Sequence, residues 1–456
     1  MSVLDLVIRG GTVVAPDGVR RADVGIADGR IAEVADEVPG PAREEIDAAG
    51  LHLLPGAVDA HVHLNEPGRS EWEGFATGTR AMAAGGTTTA VDMPLNARPP
   101  TVDAAGFDAK AAAGEAAAVV DFALWGGLIP GHADRLDELA RRGVVGFKAF
   151  MAASGVPEFP MADDLTLHEG MRRAAVLGLP VAVHAENEAI TAGLAARARA
   201  QGRTGMRDYL ASRPAIAEAE AIGRALLLAE ETGCALHVVH VSTGRGVALV
   251  AEARARGVDA TCETCPHYLV LDEDDAERLG AVAKCAPPLR PAGEQEALWD
   301  ALRAGTIAFV ASDHSPAPAE LKAGDDLFAA WGGISGCQTL LALLLDAGHH
   351  ERGLGLDAIA TVAATAPARR LRLRGKGRLE AGADADVALV DLGAEDVVTA
   401  GLLHYRHPHS PFTGMTLRGR VARTLVRGAT VFAGGRLHGA PAGRLVTPEP
   451  HQESPA

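Results

Sequence analysis

Two histidines two residues apart, His61 and His63, fall at the end of a short apolar run from Ala57 to Leu64. Side chains two apart on a strand share a face, so both imidazoles can reach one cavity. Alone, such a pair reads more readily as ordinary polar residues than as metal ligands. Lys148 is a stronger anomaly, because it sits within the apolar run Val144 to Met151 and lysine is almost never buried without a partner. It is either a rim lysine paired with a carboxylate, or an amine whose pKa burial lowers until its neutral nitrogen can react. Three further runs end in ligand-type side chains: His184, His240 and Asp313. His237 and His240 differ by three, so they cannot share a strand face, and the later residue lies nearer the run's end.

These positions need a scaffold that brings many strand ends together. Eight apolar runs recur: Ala57–Leu64, Thr87–Leu95, Val120–Leu128, Val144–Met151, Leu179–Asn187, Ala235–Thr243, Val258–Leu269 and Ile307–Ser315. Each is followed by an Ala/Glu/Arg-rich helical stretch. Near-continuous apolar strands alternating with helices predict an α/β fold, a (β/α)₈ barrel over residues 53–374 with its site at the strands' C-terminal ends. The flanks alternate apolar and polar residues and carry turn signals such as Asp28-Gly29 and Gly434-Gly435. Neither flank can bury a good core alone. Residues 1–52 and 375–446 are therefore expected to form one small β-sandwich domain, and the proline-rich tail 447–456 to be disordered.

Composition narrows the function. The chain has 456 residues, 48% hydrophobic and 22% charged, and a net charge of −16. That balance disfavours nucleic acid or an anionic membrane as partner. Five cysteines do not make a disulfide scaffold. The N-terminus has no basic stretch before its apolar residues and carries Asp5 among them, which reads as cytoplasmic rather than secreted. Seventeen histidines equal the combined Phe, Trp and Tyr, a surplus that hints at metal or acid–base chemistry.

His61, His63, Lys148, His184, His240 and Asp313 at one end of a barrel are hard to explain by packing. Imidazoles and a carboxylate suit divalent transition metals. Four neutral imidazoles and one carboxylate leave two dications under-compensated. Lys148 converted by CO₂ into a carbamate (N6-carboxylysine) would supply a bridging anion. The set resembles the amidohydrolase superfamily and, within it, the branch of dihydroorotases, allantoinases and hydantoinases. The resemblance implies that His61, His63 and Asp313 hold the more buried metal, His184 and His240 the more exposed one, and carboxylated Lys148 bridges them. Zinc is the first choice, with cobalt, manganese or iron also compatible.

Departures within that branch point to the ring that is opened. Dihydroorotases carry an arginine where this chain has Asn65, and without a guanidinium a carboxylate-bearing substrate loses its bidentate partner. Hydantoinases and dihydropyrimidinases carry a tyrosine where this chain has Ala153. The runs Asn65–Phe75, Asp92–Asn96, Cys262–Tyr268, Lys284–Arg290 and Trp331–Ile334 are similar to allantoinase signatures. This resemblance implies hydrolysis of allantoin, a small neutral cyclic ureide, to allantoate in purine catabolism. It also implies a homotetramer. Metal-assisted attack of water on the ring amide is the implied mechanism, with Asp313 moving the proton. Asn96 and the backbone of Cys285, Ala286, Pro287, Gly333, Ile334 and Ser335 would hold the ring. A hydantoinase-like or dihydroorotase-like amidase is the alternative reading, and a metal-free non-catalytic scaffold a remote one, since all six positions are filled.

Some residues stay open. Cys262 and Cys265 read as buried thiols, lacking a second pair for a zinc site. His267 and His314 lie beside the motifs as second-sphere donors or as ordinary structural residues. The cluster from His404 to His409 reads as a loop or subunit contact rather than a metal tract.

Overall fold

A computed structural model describes residues 3–15 and 18–450. Eight parallel barrel strands follow the expected order: Ala57–Val62, Thr87–Asp92, Asp121–Leu124, Phe147–Phe150, Val181–His184, Leu236–Val238, Ala260–Thr264 and Phe309–Val310. Almost every residue of these strands is buried, as a sheet covered by helices requires. The first and eighth strands meet through a parallel bridge between Val62 and His314. The third and fourth join where Val145 N donates to Leu124 O at 3.0 Å. The barrel is closed.

The seventh run is shorter than its apolar stretch. Strand Ala260–Thr264 stops at Cys265, and Pro266 opens a buried helix, Pro266–Val270. Proline's fixed φ and missing N–H suit a helix's first position and end a strand's ladder. Continuous hydrophobicity cannot separate a buried strand from a buried helix.

The two chain ends share one nine-stranded sheet. Strand Val387–Val397 pairs antiparallel with His52–Pro55, Leu389 lying opposite Leu53. Leu6, Ile8, Val24 and Ile26 from one end pack with Val387, Leu389 and Leu425 from the other in one apolar core. This β-sandwich is tied to the barrel wall, where Gly56 N donates to Asp386 O at 2.9 Å and Thr424 Oγ1 to Ala83 O at 2.7 Å.

Of the tail expected to be disordered, residues 447–450 are described. Glu449 N donates to Arg372 O at 3.0 Å, and Thr447 packs against Gly143, so this stretch is anchored by backbone pairing despite its prolines. Residues 451–456 lie outside the described residues. No described helix is long and apolar enough to cross a membrane.

Candidate active site

The six residues singled out by type and spacing all come to the C-terminal end of the barrel. His61 is the penultimate residue of the first strand, and His63 follows that strand, its N–H donating to His314 O at 2.8 Å. Lys148 stands inside the fourth strand, His184 ends the fifth, and His240 and Asp313 lie just past the sixth and eighth. His240 and Asp313 turn through the left-handed region, with φ of 41° and 45°. Such conformations cost non-glycine residues about 1–3 kcal/mol each and persist where the surroundings over-determine them. Here they turn the side chains into the cavity.

Two groups of ligand atoms result. His61 Nε2 and His63 Nε2 lie 3.2 and 3.4 Å from Asp313 Oδ1. His61 Nδ1 lies 2.6 Å from Glu263 Oε1. A neutral His61 that donates there presents only a lone pair towards Asp313. Lone pairs converging on a carboxylate in a buried pocket repel unless a cation lies among them, and neutral imidazole is the ligating form. In the second group His184 Nδ1 and His240 Nε2 approach to 3.1 Å, while His184 Nε2 is engaged by Glu186 Oε2 at 2.9 Å. His61 and His240 link the groups, their ring centroids 5.5 Å apart. His184 is stacked on Phe150 at 4.6 Å, which fixes its plane. Burial, reinforced by the charge on Lys148, pulls the imidazoles of His61 and His240 well below their usual range.

Lys148 is fully buried, and its Nζ forms no hydrogen bond within the described residues. Burial lowers its pKa from 10.5 to about 7, against the pull of Asp313 and Glu263. The rim-lysine reading, snorkelling or salt-bridged, does not describe this side chain. The donor set and the orphaned amine therefore fit a site built for divalent cations.

The sequence pattern missed two carboxylates. Glu263 on the seventh strand accepts from His61 and also contacts His237 Nε2 at 3.0 Å. Burial pushes it up to about 8. His237 is stacked on Phe309 at 4.8 Å. Glu186, two residues beyond His184, is fully buried. Burial alone would raise its pKa, but the Arg213 guanidinium and the His184 hydrogen bond outweigh it and leave it at about 2. A charge interrupting an apolar run marked Lys148, and the same signal marks both glutamates.

Above the ligand atoms opens a cavity of about 550 Å³, lined among others by Asn96, Phe150, Ala153, Arg213, Ala286 and Trp331. Asn96, with φ 68°, is buried and its Oδ1 is unpartnered. Arg69 holds the Asn96 carbonyl at 2.8 Å. Ala286 lines the cavity, whereas the carbonyls of the other expected ring contacts are engaged within the protein. Those of Cys285 and Pro287 accept from Tyr209 and Tyr268 at 2.8 and 2.6 Å. Gly333 O accepts from Lys322, Ile334 O from Ser315 N and Ser335 O from Ser410. Asn65 is buried off the cavity, its amide donating to Pro316 O at 3.4 Å.

The remaining motif residues lie outside the candidate ligand set. His267 is buried with Nε2 unpartnered, and burial lowers it to about 4. His314 Nδ1 accepts from Gly336 N at 3.2 Å, and its ring faces Tyr405 at 5.0 Å. Residues 404–410 form a strap over the barrel rim, where Arg406 Nε donates to Glu73 O at 2.6 Å. Cys262 and Cys265 are buried free thiols.

Comparison with known proteins agrees with this geometry. The model of the amidohydrolase family matches residues 52–431. The chain is 64% identical over 449 residues to an allantoinase of Rubrobacter xylanophilus, covering 98% of this chain and 99% of that protein. It is 56% identical to an allantoinase of Solibacter usitatus, covering 98% and 97%. Among solved structures it is similar to the L-hydantoinase (dihydropyrimidinase) from Arthrobacter aurescens, with a TM-score of 0.95 at 36% identity, covering 98% of this chain and 100% of that one.

Proposed function

The chain belongs to the amidohydrolase family, and from that premise we propose that it hydrolyses the ring amide of allantoin to give allantoate. The observation that carries this reading is the near-full-length identity of 64% and 56% to two allantoinases. Likeness to hydantoinases in fold alone does not choose the substrate, because a fold hosts many specificities.

His61, His63 and Asp313 would hold one divalent ion, and His184 and His240 a second. Lys148, carboxylated on Nζ, would bridge them. Its fully buried, unpartnered amine supports this assignment, because a neutral amine is what adds CO₂. When bound, such ions polarise an amide carbonyl and make water acidic enough to attack near neutral pH; zinc suits the donors, as do cobalt, manganese and iron.

The chain's own groups do the rest. Glu263 and Glu186 each take one nitrogen of a ligand histidine, leaving the other facing inward. Asp313 Oδ1, between His61 and His63, accepts a proton from the attacking water and returns it to the departing ring nitrogen. Phe150, Ala153 and Trp331 wall the cavity with apolar surface and limit competing water. Asn96, whose Oδ1 is free, accepts from a ring N–H. The same reading carries a cytoplasmic homotetramer, which sedimentation of the purified protein tests.

The deciding experiment assays ring opening of allantoin, dihydroorotate, hydantoin and dihydrouracil side by side. Allantoin should be turned over most efficiently. Strong turnover of any other member with none of allantoin would overturn the reading.

A further inference from the structure

The cavity contains a guanidinium that the ligand set does not require. Arg213 follows the short helix Met206–Ala211 and lines the cavity, its side chain 21% exposed. Its Nη1 pairs with Glu186 Oε2, the same oxygen that engages His184 Nε2. Two further contacts fix its place. Its backbone carbonyl accepts from Arg290, and its guanidinium lies over the Tyr209 ring, 5.6 Å from the centroid. Tyr209 is itself held by its bond to Cys285 O.

Arginine carries five N–H donors in a rigid plane. Glu186 Oε2 takes one donor of Nη1, and no hydrogen bond is formed by Nε or Nη2 among the described residues. Neither nitrogen is among the buried atoms without a partner, and the residue lines the cavity. An arginine held by a buried carboxylate and an aromatic face loses little side-chain freedom when it binds, which suits it to recognition.

We propose that Arg213 is the specificity-determining residue for the substituent on the ring, donating from Nε and Nη2 to the carbonyl oxygen of a ureido arm. The inference rests on the reading of allantoin as substrate. It also accounts for the absence of an arginine at position 65: the cavity has a guanidinium, reached from another element and aimed at the arm instead of at a ring carboxylate.

Arg213→Lys tests this, since it keeps the charge beside Glu186 but loses the forked donors. KM for allantoin should rise about tenfold or more while kcat changes less than about threefold. Inhibition by hydantoin, which has the ring but no arm, should stay within about threefold of wild type, as should bound metal. Equal weakening of allantoin and hydantoin, or loss of metal, would show that Arg213 acts only through Glu186 and His184 and would overturn the proposal. An unchanged KM would overturn it as well. Arg213→Gln, read by the same constants and by metal content, serves if the lysine variant does not fold. A wild-type enzyme that binds hydantoin but does not turn over allantoin would instead sink the substrate reading.

Discussion

Glu263 and His61 are joined by a 2.6 Å contact through the imidazole Nδ1, and the other carboxylate oxygen of Glu263 reaches His237 Nε2 at 3.0 Å. One buried carboxylate thus sets the tautomer of a histidine that faces Asp313. Partners of this kind tune metal affinity about 10–100-fold. Glu263→Gln keeps the volume but must offer an amide N–H to one of the two rings. The variant should fold with a thermal midpoint near that of wild type and lose metal far faster against a chelator. Metal retention equal to wild type after the same dialysis would show that His61 does not need this partner.

Lys148 yields a prediction in pH. Its buried amine titrates near 7 instead of 10.5, and only the neutral form adds CO₂. Metal-free protein equilibrated with bicarbonate should carry more carbamate well above pH 7 than well below it, read as a carbon-13 carbamate signal. The unmodified protein has a linked stability term. Between about 7 and 10.5 the unfolded lysine binds a proton that the folded one does not, so stability rises with pH across that window. Lys148→Ala should abolish both trends, bind both metals poorly and lose nearly all activity, with partial rescue by small carboxylates. Undiminished metal content in that variant would refute the bridge.

Ala153 lines the cavity, and its N–H donates to Glu188 Oε2 at 2.8 Å, so the backbone is already anchored there. Ala153→Tyr puts a phenol into a space of about 550 Å³. It should lower kcat/KM for allantoin about tenfold or more while hydantoin, which needs less room, loses less; one lost close fit is worth about 1–3 kcal/mol. A parallel loss for both rings would indicate general damage to the site rather than crowding of the arm.

The candidate ligand positions were legible because each is a polar side chain interrupting an apolar run at or near a strand's end. Period two and strand order then bring His61, His63, His184, His240 and Asp313 together. Glu263 and Glu186 carry the same mark and are as readable once a charge in a buried strand is taken as a demand for a partner. Arg213 and Tyr209 were not readable. They reach the cavity from a helix end and loops whose course depends on tertiary packing, and no spacing in the chain connects them to the ligands. The seventh run misled for a related reason, since hydrophobicity continues from strand into helix across Pro266.

Lys376 is buried away from the cavity. Its Nζ lies 2.5 Å from Asp121, 2.8 Å from Asp386 and 3.0 Å from Asp384, with Lys376, Asp121 and Asp386 all buried. The three carboxylates have the spacing of a cation site, and the lysine ammonium already occupies that place. Asp121 opens the third barrel strand and Asp386 precedes the strand that pairs with His52–Pro55, so the cluster pins the composite sheet to the barrel. Arg427 adds a second cation, contacting Asp121 through its guanidinium and Asp386 through its N–H. Removing one partner of a buried pair leaves an uncompensated charge and costs about 3–5 kcal/mol. Lys376→Met should therefore lower unfolding free energy by about that amount in denaturant titrations, with the cavity's metals retained by the folded fraction. Burial already raises Asp386 despite the lysine beside it, and without that cation it rises further. The folded variant then binds more protons than the unfolded chain, so its deficit should shrink as pH falls below neutrality. A loss under about 1 kcal/mol that does not vary with pH would mean that Arg427 alone neutralises the cluster.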